Sequence, residues 1–317
     1  MKKKTILVVS GGTSSEREVS LKSGRACSNA IKNLNYKVLN FDPAKEDFKK
    51  IKNYNVDIIF NALHGRDGED GIAQSYFEYF KIPYTHSGIL SSMNSMDKII
   101  SKRAFKINKI RTPEYIELNI INYHDVLKKK TLHSSLFYPL VLKPTNEGSS
   151  IGVNICKNFI ELKKNVNKLI KKYKTLIIEN FIGGQEIQVA VINEKSLGAI
   201  ELKPKRKFYD YKAKYSKSAN TEHLMPANLS KKKYKEVLVL AKKAHKALKC
   251  RGVTRSDFKF KDNKFYLLEI NTQPGMTSLS LVPEIANYVG FSFKNLIKVI
   301  IDDASINRWF QKINFFY

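Results

Sequence analysis

The apolar run TILVVS, residues 5–10, stops at Gly11-Gly12 and gives way to TSSEREVSLKSG, a glycine turn running into a helix. A short continuous apolar run bounded by glycine reads as a fully buried strand. The pattern then repeats: VDIIFNAL is a second buried strand ending at His64, and DGIAQSYFEYF is a helix. Strand–helix alternation of this kind implies a parallel sheet with helices on its faces, and ligands collect at the carboxyl ends of such strands. GGTSSE and HGRDGEDG both lie there. The lysines of MKKKTILVV resemble the start of a secretion signal. The run Ile6–Val9 is too short for one and ends in Gly-Gly, so a first strand is the better reading.

After about residue 95 the character changes to a small α+β unit. Asp97–Asn108 reads as a helix broken by Thr112-Pro113, followed by the strand FYPLVLKP, the loop TNEGSS and the strand IGVNIC. A lysine-rich helix, Phe159–Tyr173, and the strand TLIIENFI complete the unit. A third unit starts near residue 183 with the strands QEIQVAVI and SLGAIELKP. A polar stretch at about 205–222 comes next, then a long helix over Lys231–Leu248 and a hairpin. The expected division is therefore 1–95, 96–182 and 183–317, and a chain of 317 residues is long enough for two or three cores.

The formal net charge of +27 invites a nucleic-acid reading, but only nine of the 56 basic residues are Arg, the side chain suited to bidentate recognition. The lysines are dispersed along exposed-looking segments, which fits an ordinary solvated surface better than one basic face. No apolar run approaches the ~20 residues that span a membrane. Three widely spaced cysteines, Cys27, Cys156 and Cys250, offer neither a disulfide framework nor a metal knuckle, and imply a cytoplasmic protein with reduced thiols.

Against that basic background, TRSDFKFKDNKFYLLEINTQPG (254–275) gathers acids. TRSDFKF and KFYLLEIN should pair as an antiparallel hairpin around Asp262-Asn263. A two-residue loop sets Asp257 opposite Leu268. A three-residue loop, 262–264, sets Asp257 opposite Glu269 and Arg255 opposite Asn271, with all four polar groups on one face. Two carboxylates and an amide oxygen are hard ligands suited to Mg²⁺; the competing reading is an exposed edge hairpin. In VLKPTNEGSSIGV, Lys143 ends a strand beside Gly148-Ser149-Ser150, whose amides could wrap phosphates, although no GxxxxGK[ST] loop is present. Glu179 and Glu186 flank a linker able to hold a purine and its ribose. FYDYKAKYS reads as a disordered loop or a lid.

The blocks GGTSSEREVSLKSG, ALHGRDGEDG, IPYTHSG, MDK, VLKPTNEGSSIGV, FYDYKAKY, TRSDF and LLEINTQPGMTSLSLVP occur in this order. Together they resemble the D-alanine–D-alanine ligase family of the ATP-grasp superfamily, from about residue 5 to residue 303. The resemblance implies an α/β (α+β) three-domain ATP-grasp fold with an N-terminal Rossmann-like parallel-sheet domain. It also implies ATP-dependent joining of two D-alanines through an acyl phosphate, for peptidoglycan precursors. By resemblance, Glu16 holds the first D-alanine's ammonium, with Ser149 and Tyr215 orienting it. Lys98 and Lys143 neutralise the ATP phosphates, and Lys214 approaches the γ-phosphate. Glu179 sits at the adenine and Glu186 at the ribose. Asp257, Glu269 and Asn271 hold two Mg²⁺ ions, for which Mn²⁺ could stand in. Arg255 and the Gly275 N–H stabilise the oxyanion, and Ser280 receives the second carboxylate beside Leu281. His64 lies near the substrates. Residues 205–222 form the lid, and a homodimer is implied, with no specific nucleic acid and no membrane.

Two positions depart from the family. Asn180 stands where members often carry Lys, which bears on side-chain help to the nucleotide. Ser256 replaces a hydrophobic residue and should point away from the metals. The competing functions are another ATP-grasp carboxylate–amine or D-alanine–D-lactate ligase and, in a different class, a lysine-rich nucleic-acid-binding protein. Tyr215 argues against the lactate enzyme, since an aromatic residue there marks the dipeptide makers.

Overall fold

The computed structural model describes residues 3–128, 135–203, 221–277 and 280–306. Lys214, Tyr215 and the rest of the expected lid up to residue 220 lie outside the described residues.

Three sheets follow one another along the chain. The first is parallel, in the order β2-β1-β3, formed by β1 (Thr5–Val9), β2 (Lys37–Phe41) and β3 (Ile58–Asn61). Every residue of β1 is buried, as its unbroken apolar run requires of a strand covered on both faces. Leu7 and Val9 pack on Phe41, Phe77 and Tyr84. Ile6 and Val8 face α1 (Arg17–Asn33) through Cys27, Ala30 and Ile31. The helix α2 is shorter than the motif DGIAQSYFEYF, spanning Ile72–Tyr79, and α3 (Ile89–Met96) leads directly into α4 (Lys98–Ile107). Asp97 separates the last two: its carboxylate accepts from the amides of Ile99 and Ile100 and so caps α4.

The second sheet is antiparallel, in the order β4-β7-β5-β6: β4 (Tyr115–Asn119), β5 (Leu140–Pro144), β6 (Asn154–Cys156) and β7 (Thr175–Asn180). The helix α5 (Tyr123–Lys128) follows β4. Strand β6 is half the length that IGVNIC suggests, because Ser149, Ser150 and Gly152 take positive φ and carry the preceding residues around a turn. Period-two alternation divides the sheet's faces. Leu140, Leu142, Leu176 and Ile178 join Leu162, Val166, Leu169 and Ile170 of α6 (Phe159–Tyr173), each such burial being worth about 2 kcal/mol. Lys143 and Glu179 are left on the other face, as diagonal neighbours across the β5–β7 ladder.

The third sheet, β10-β9-β8-β11-β12, is antiparallel: β8 (Gln185–Ile192), β9 (Lys195–Lys203), β10 (Glu222–Leu224), β11 (Val253–Lys261) and β12 (Lys264–Asn271). One face packs on α7 (Lys231–Ala247). The other packs on α8 (Leu281–Tyr288) and α9 (Phe293–Asp302). These last two helices share one core with α1 and β1, so residues 281–301 pack back onto residues 6–31.

Burial in α7 sets an acid sensitivity. His245 is 1% exposed, its Nδ1 lies 2.8 Å from Thr254 Oγ1, and its Nε2 has no hydrogen-bond partner among the described residues. Burial pushes its pKa down to about 4, with Glu194 and Asp303 opposing. The unfolded chain therefore binds the extra proton first. Stability is full above pH ~6.5 and falls towards pH ~4, by roughly 3 kcal/mol across the window. Urea unfolding at pH 7 and pH 4.5 should show a smaller loss for His245→Gln than for the natural chain. Equal losses would remove His245 as the cause.

Candidate active site

The β11–β12 hairpin answers the register question in an unexpected way. Arg255 lies opposite Asn271 and Asp257 opposite Glu269, the one-face arrangement, but the three-residue loop is not how it arises. Lys261 pairs with Lys264, so the loop is the two residues Asp262 and Asn263, both at positive φ as a primed turn requires. From the turn to Phe258↔Leu267 the ladder keeps two-residue-loop register. A β-bulge then absorbs Leu268 and advances β12 by one residue, bringing Glu269 across from Asp257. Ser256, between Arg255 and Asp257 in sequence, points to the opposite face and is fully buried between Val189 and Ile270. Its hydroxyl has no partner among the described residues.

Arg255 grips Asp257 with both prongs of its guanidinium, Nε to Oδ1 at 2.7 Å and Nη2 to Oδ2 at 2.9 Å. Asn271 Oδ1 accepts from the Gln273 amide at 2.8 Å, and Glu269 Oε2 lies 3.6 Å from Lys98 Nζ. Beyond the hairpin, Gly275 packs so tightly that an added Cβ would come within 2.8 Å of Ser280 Oγ. Ser280 Oγ accepts from the Thr277 amide at the start of α8.

The glycine turn after β1 is locked by a residue pair that the motifs did not single out. Arg17 donates to the Gly12 carbonyl at 2.7 Å and to both oxygens of Asp42, which also accepts from the Gly12 amide. Although burial works against it, Arg17 and the amides of Gly12 and Ala44 bring the Asp42 pKa down to about 2. A side chain at Gly11, whose φ is +94°, would collide with Asp42 at 2.4 Å. This frame presents Glu16, 5% exposed, at the head of α1, where its carboxylate accepts from Ser149 Oγ. Glu16 and Ser149 are 133 residues apart.

His64 is buried beside them. Its Nδ1 faces two acceptors, Glu69 Oε1 at 3.3 Å and the Gln273 carbonyl at 3.1 Å, so Nδ1 carries the proton. Its Nε2 then accepts from Ser23 Oγ at 2.9 Å, and that hydroxyl accepts in turn from the Met276 amide. Burial raises the Glu69 pKa and the Glu16 charge adds to the rise, with His64 opposing.

Three lysines converge on the β5–β7 face. Lys143 Nζ donates to Glu179 Oε1 at 2.5 Å, Lys102 Nζ lies 2.9 Å from Glu179 Oε2, and Lys98 Nζ donates to the Glu147 carbonyl at 2.6 Å. Burial raises the pKa of Glu179, but Lys102 and Lys143 outweigh it and hold the group below the usual range. Burial, with Lys143 nearby, lowers Lys98. Glu186 accepts from Lys259 at 2.9 Å. Asn180 fastens a neighbouring segment, accepting from the Phe137 amide and donating to the Ser135 carbonyl, both at 2.8 Å.

These groups line two adjoining cavities. The larger, about 440 Å³, has Glu16, His64, Ser149, Arg255 and Asn271 in its walls, with Gly275, Ser280 and Leu281 at one end. The smaller, about 90 Å³, is walled by Lys143, Glu179, Glu186 and Asp257. Lys98, Glu147 and Glu269 belong to both. Fourteen of the sequence-derived candidates are thus brought around one space, while Lys214 and Tyr215 lie outside the described residues. Spacing did not single out Lys102, Arg17, Ser23 or Gln188. Gln188 is fully buried, sits across from Asp257 and lines the larger cavity. Neither of its amide atoms has a partner among the described residues. Lys102 could have been found, because it lies four residues after Lys98 on one helix face.

The donor chemistry fits a hydrated hard cation and a polyphosphate. Two carboxylates and an amide oxygen share one face of the β11–β12 hairpin beside three lysines, and Mg²⁺ completes its shell from water and phosphate oxygens. Among the described residues no three His, Cys, Asp or Glu side chains form a closed metal cage.

A family model described as D-ala D-ala ligase C-terminus matches residues 105–302, and one described as D-ala D-ala ligase N-terminus matches residues 41–87. The chain is 54% identical over 306 residues to the D-alanine--D-alanine ligase of Pelagibacter ubique, covering 96% of this chain and 99% of that protein. The crystal structure of D-alanine--D-alanine ligase from Bacillus anthracis complexed with ATP superposes with a TM-score of 0.81 at 31% identity, covering 95% of this chain and 97% of that one. The VanG D-Ala:D-Ser ligase from Enterococcus faecalis superposes with a TM-score of 0.83 at 27% identity, covering 95% and 99%. The α/β architecture of three sheets around two joined cavities is the ATP-grasp fold of these enzymes. On matches that span nearly its whole length, the chain belongs to the D-alanine–D-alanine ligase family.

Proposed function

We propose that this enzyme joins two D-alanines into D-alanyl-D-alanine, converting ATP to ADP and phosphate and supplying a peptidoglycan precursor. The observation that carries the reading is the junction of the two cavities at Lys98, Glu147 and Glu269. A phosphoryl group leaving a nucleotide in the smaller cavity would meet there a carboxylate bound in the larger one. Lys98 and Lys143 neutralise the phosphates, with Lys214 arriving from the lid. Glu179 and Glu186 flank the base and ribose. Asp257, Glu269 and Asn271 hold Mg²⁺, which supplies charge neutralisation on the transferring phosphoryl group.

Glu16, held by Ser149, takes the ammonium of the first D-alanine, and Tyr215 helps orient it. Ser280 and Leu281 receive the second. The second amine attacks the acyl phosphate, and the oxyanion that forms is met by Arg255 and the Gly275 N–H. Taking up that task means that Arg255 exchanges its present partner, Asp257. Both nitrogens of His64 are engaged, so it shapes the wall by fixing Ser23 and the Gln273–Met276 segment. Closure of residues 205–222 excludes water and spares the acyl phosphate.

The division into three units near residues 95 and 182, the homodimer and the cytoplasmic location belong to the same proposal. Two observations support the location. Cys27, Cys156 and Cys250 are buried and free of disulfides, and no helix among the described residues is long and apolar enough to cross a membrane. A coupled assay should show ADP release that requires D-alanine, ATP and Mg²⁺ together; no turnover with all three would reject the reading. The D-Ala:D-Ser relative motivates one competing second substrate. Comparing D-alanine, D-serine and D-lactate as acceptors across neutral pH separates the alternatives.

A further inference from the structure

Lys102 takes no part in the mechanism above, yet it is among the most deeply buried side chains, at 0% exposure. Removing an ammonium from water is unfavourable by several kcal/mol, and an apolar side chain would fill such a position without that penalty. Neutralising Glu179 does not explain it, because Lys143 already pairs with Glu179 Oε1 at 2.5 Å. Lys102 is the second cation on that carboxylate. Its Nζ lies 2.9 Å from Oε2 and 5.6 Å from the centre of the Tyr115 ring on the neighbouring strand. One carboxylate oxygen thus accepts a hydrogen bond from the strand's Lys143, while the other faces the helix's Lys102 as an ion pair without hydrogen-bond alignment. Two ammoniums around one buried carboxylate leave a surplus positive charge beside the smaller cavity.

We infer that Lys102 is a positioning residue for nucleotide binding: it fixes the Glu179 carboxylate, which in turn aims the Lys143 ammonium into the smaller cavity. Three links make the chain. Lys102 and Lys98 lie four residues apart on α4, so the helix that brings Lys98 to the cavity junction also brings Lys102 to Glu179. Glu179 and Lys143 are diagonal neighbours on one sheet face, which leaves their side chains free to choose other rotamers unless a third group decides. Lys143 lines the cavity, while Lys102 stands behind Glu179 and does not. Burial lowers the Lys102 pKa to about 8, with Glu179 opposing, which leaves the ammonium charged at neutral pH. The charge is thus present when the nucleotide arrives.

The inference rests on the reading that the smaller cavity takes ATP, and the test separates the two. Binding of a non-hydrolysable ATP analogue with Mg²⁺ is measured by calorimetry on the full chain, alongside steady-state kinetics. No binding by the natural enzyme would reject the ATP reading itself. Given that binding, Lys102→Met should weaken it by roughly 10- to 100-fold and raise the KM for ATP to match. The KM for D-alanine should stay within about twofold, a split that general loss of structure does not produce. In a Glu179→Gln background, Lys102→Met should change affinity less than about twofold, because its intermediary is already gone. If Lys102→Met does not fold, Lys102→Arg, which keeps the charge but alters its reach, replaces it under the same criteria. A folded variant with natural ATP affinity would overturn the inference. So would equal losses in the two backgrounds.

Discussion

Glu269→Ala is expected to lower turnover on the order of 10³-fold or more while leaving the fold intact. Glu269, one of two glutamates in the walls of both cavities, is on the strand face that carries Asn271 and lies opposite Asp257. The side chain is 30% exposed and Lys98 Nζ is 3.6 Å away, so losing that pair should change stability by about 1 kcal/mol or less. The large loss therefore belongs to the reaction. As a metal ligand, Glu269 should also show itself in the Mg²⁺ titration, with half-saturation moving to markedly higher concentration in the variant. A variant with the natural rate and an unchanged Mg²⁺ dependence would refute the assignment of Glu269 to the metal.

Arg255→Lys should reduce kcat by about 10²- to 10³-fold, although the charge is kept. Arg255 lines the larger cavity and is absent from the walls of the smaller one, so the KM for ATP should change little. Its guanidinium makes two parallel hydrogen bonds to Asp257, and lysine, with a point charge on a flexible stem, cannot reproduce that fork at either Asp257 or an oxyanion. Losing one of two charged hydrogen bonds at a carboxylate that is 5% exposed should also lower stability by roughly 1–3 kcal/mol. A urea melt with the kinetics separates the two effects. Unimpaired kcat in the folded variant would remove Arg255 from oxyanion stabilisation.

The sequence made the convergence of Asp257, Glu269, Arg255 and Asn271 legible, but not the device that achieves it. Period-two reasoning demands that facing residues share a face, and two ways of closing the turn were weighed. The chain uses the tight turn and corrects the register with a bulge at Leu268, which nothing in the alternation of FYLLEIN announces. The parallel sheet was legible because β1 and β3 are continuous apolar runs, whereas β2, with its mixed KVLNF, was not. IGVNIC misled for a local reason: residues at positive φ extend the turn into a segment that looks like strand. Partners distant in sequence were the hardest to foresee. Ser149 meets Glu16, and Gln273 meets both His64 and Asn61, through packing of whole elements that no local pattern encodes. Asn180 looked like a lost nucleotide contact, yet its amide is committed to the backbone of residues 135–137.

The shared core of the chain's two ends bears on how the enzyme is made. Asn61 and Gln273, joined at 2.8 Å, are 212 residues apart. At about 5–20 residues per second, a ribosome needs roughly 10–40 s to go from one to the other. For that interval the first sheet is complete on one side only. Leu7 and Val9 already have Phe41, Phe77 and Tyr84, all early residues. On the other side Ile6, Val8 and α1 wait for Leu281, Ile285, Leu296 and Ile300, among the last core residues to emerge. The nascent chain thus carries a half-covered apolar face until residues 281–301 emerge. Glu16 and His64 acquire the wall formed by Gln273, Gly275, Met276 and Leu281 only after those residues have emerged, so the site is incomplete until then.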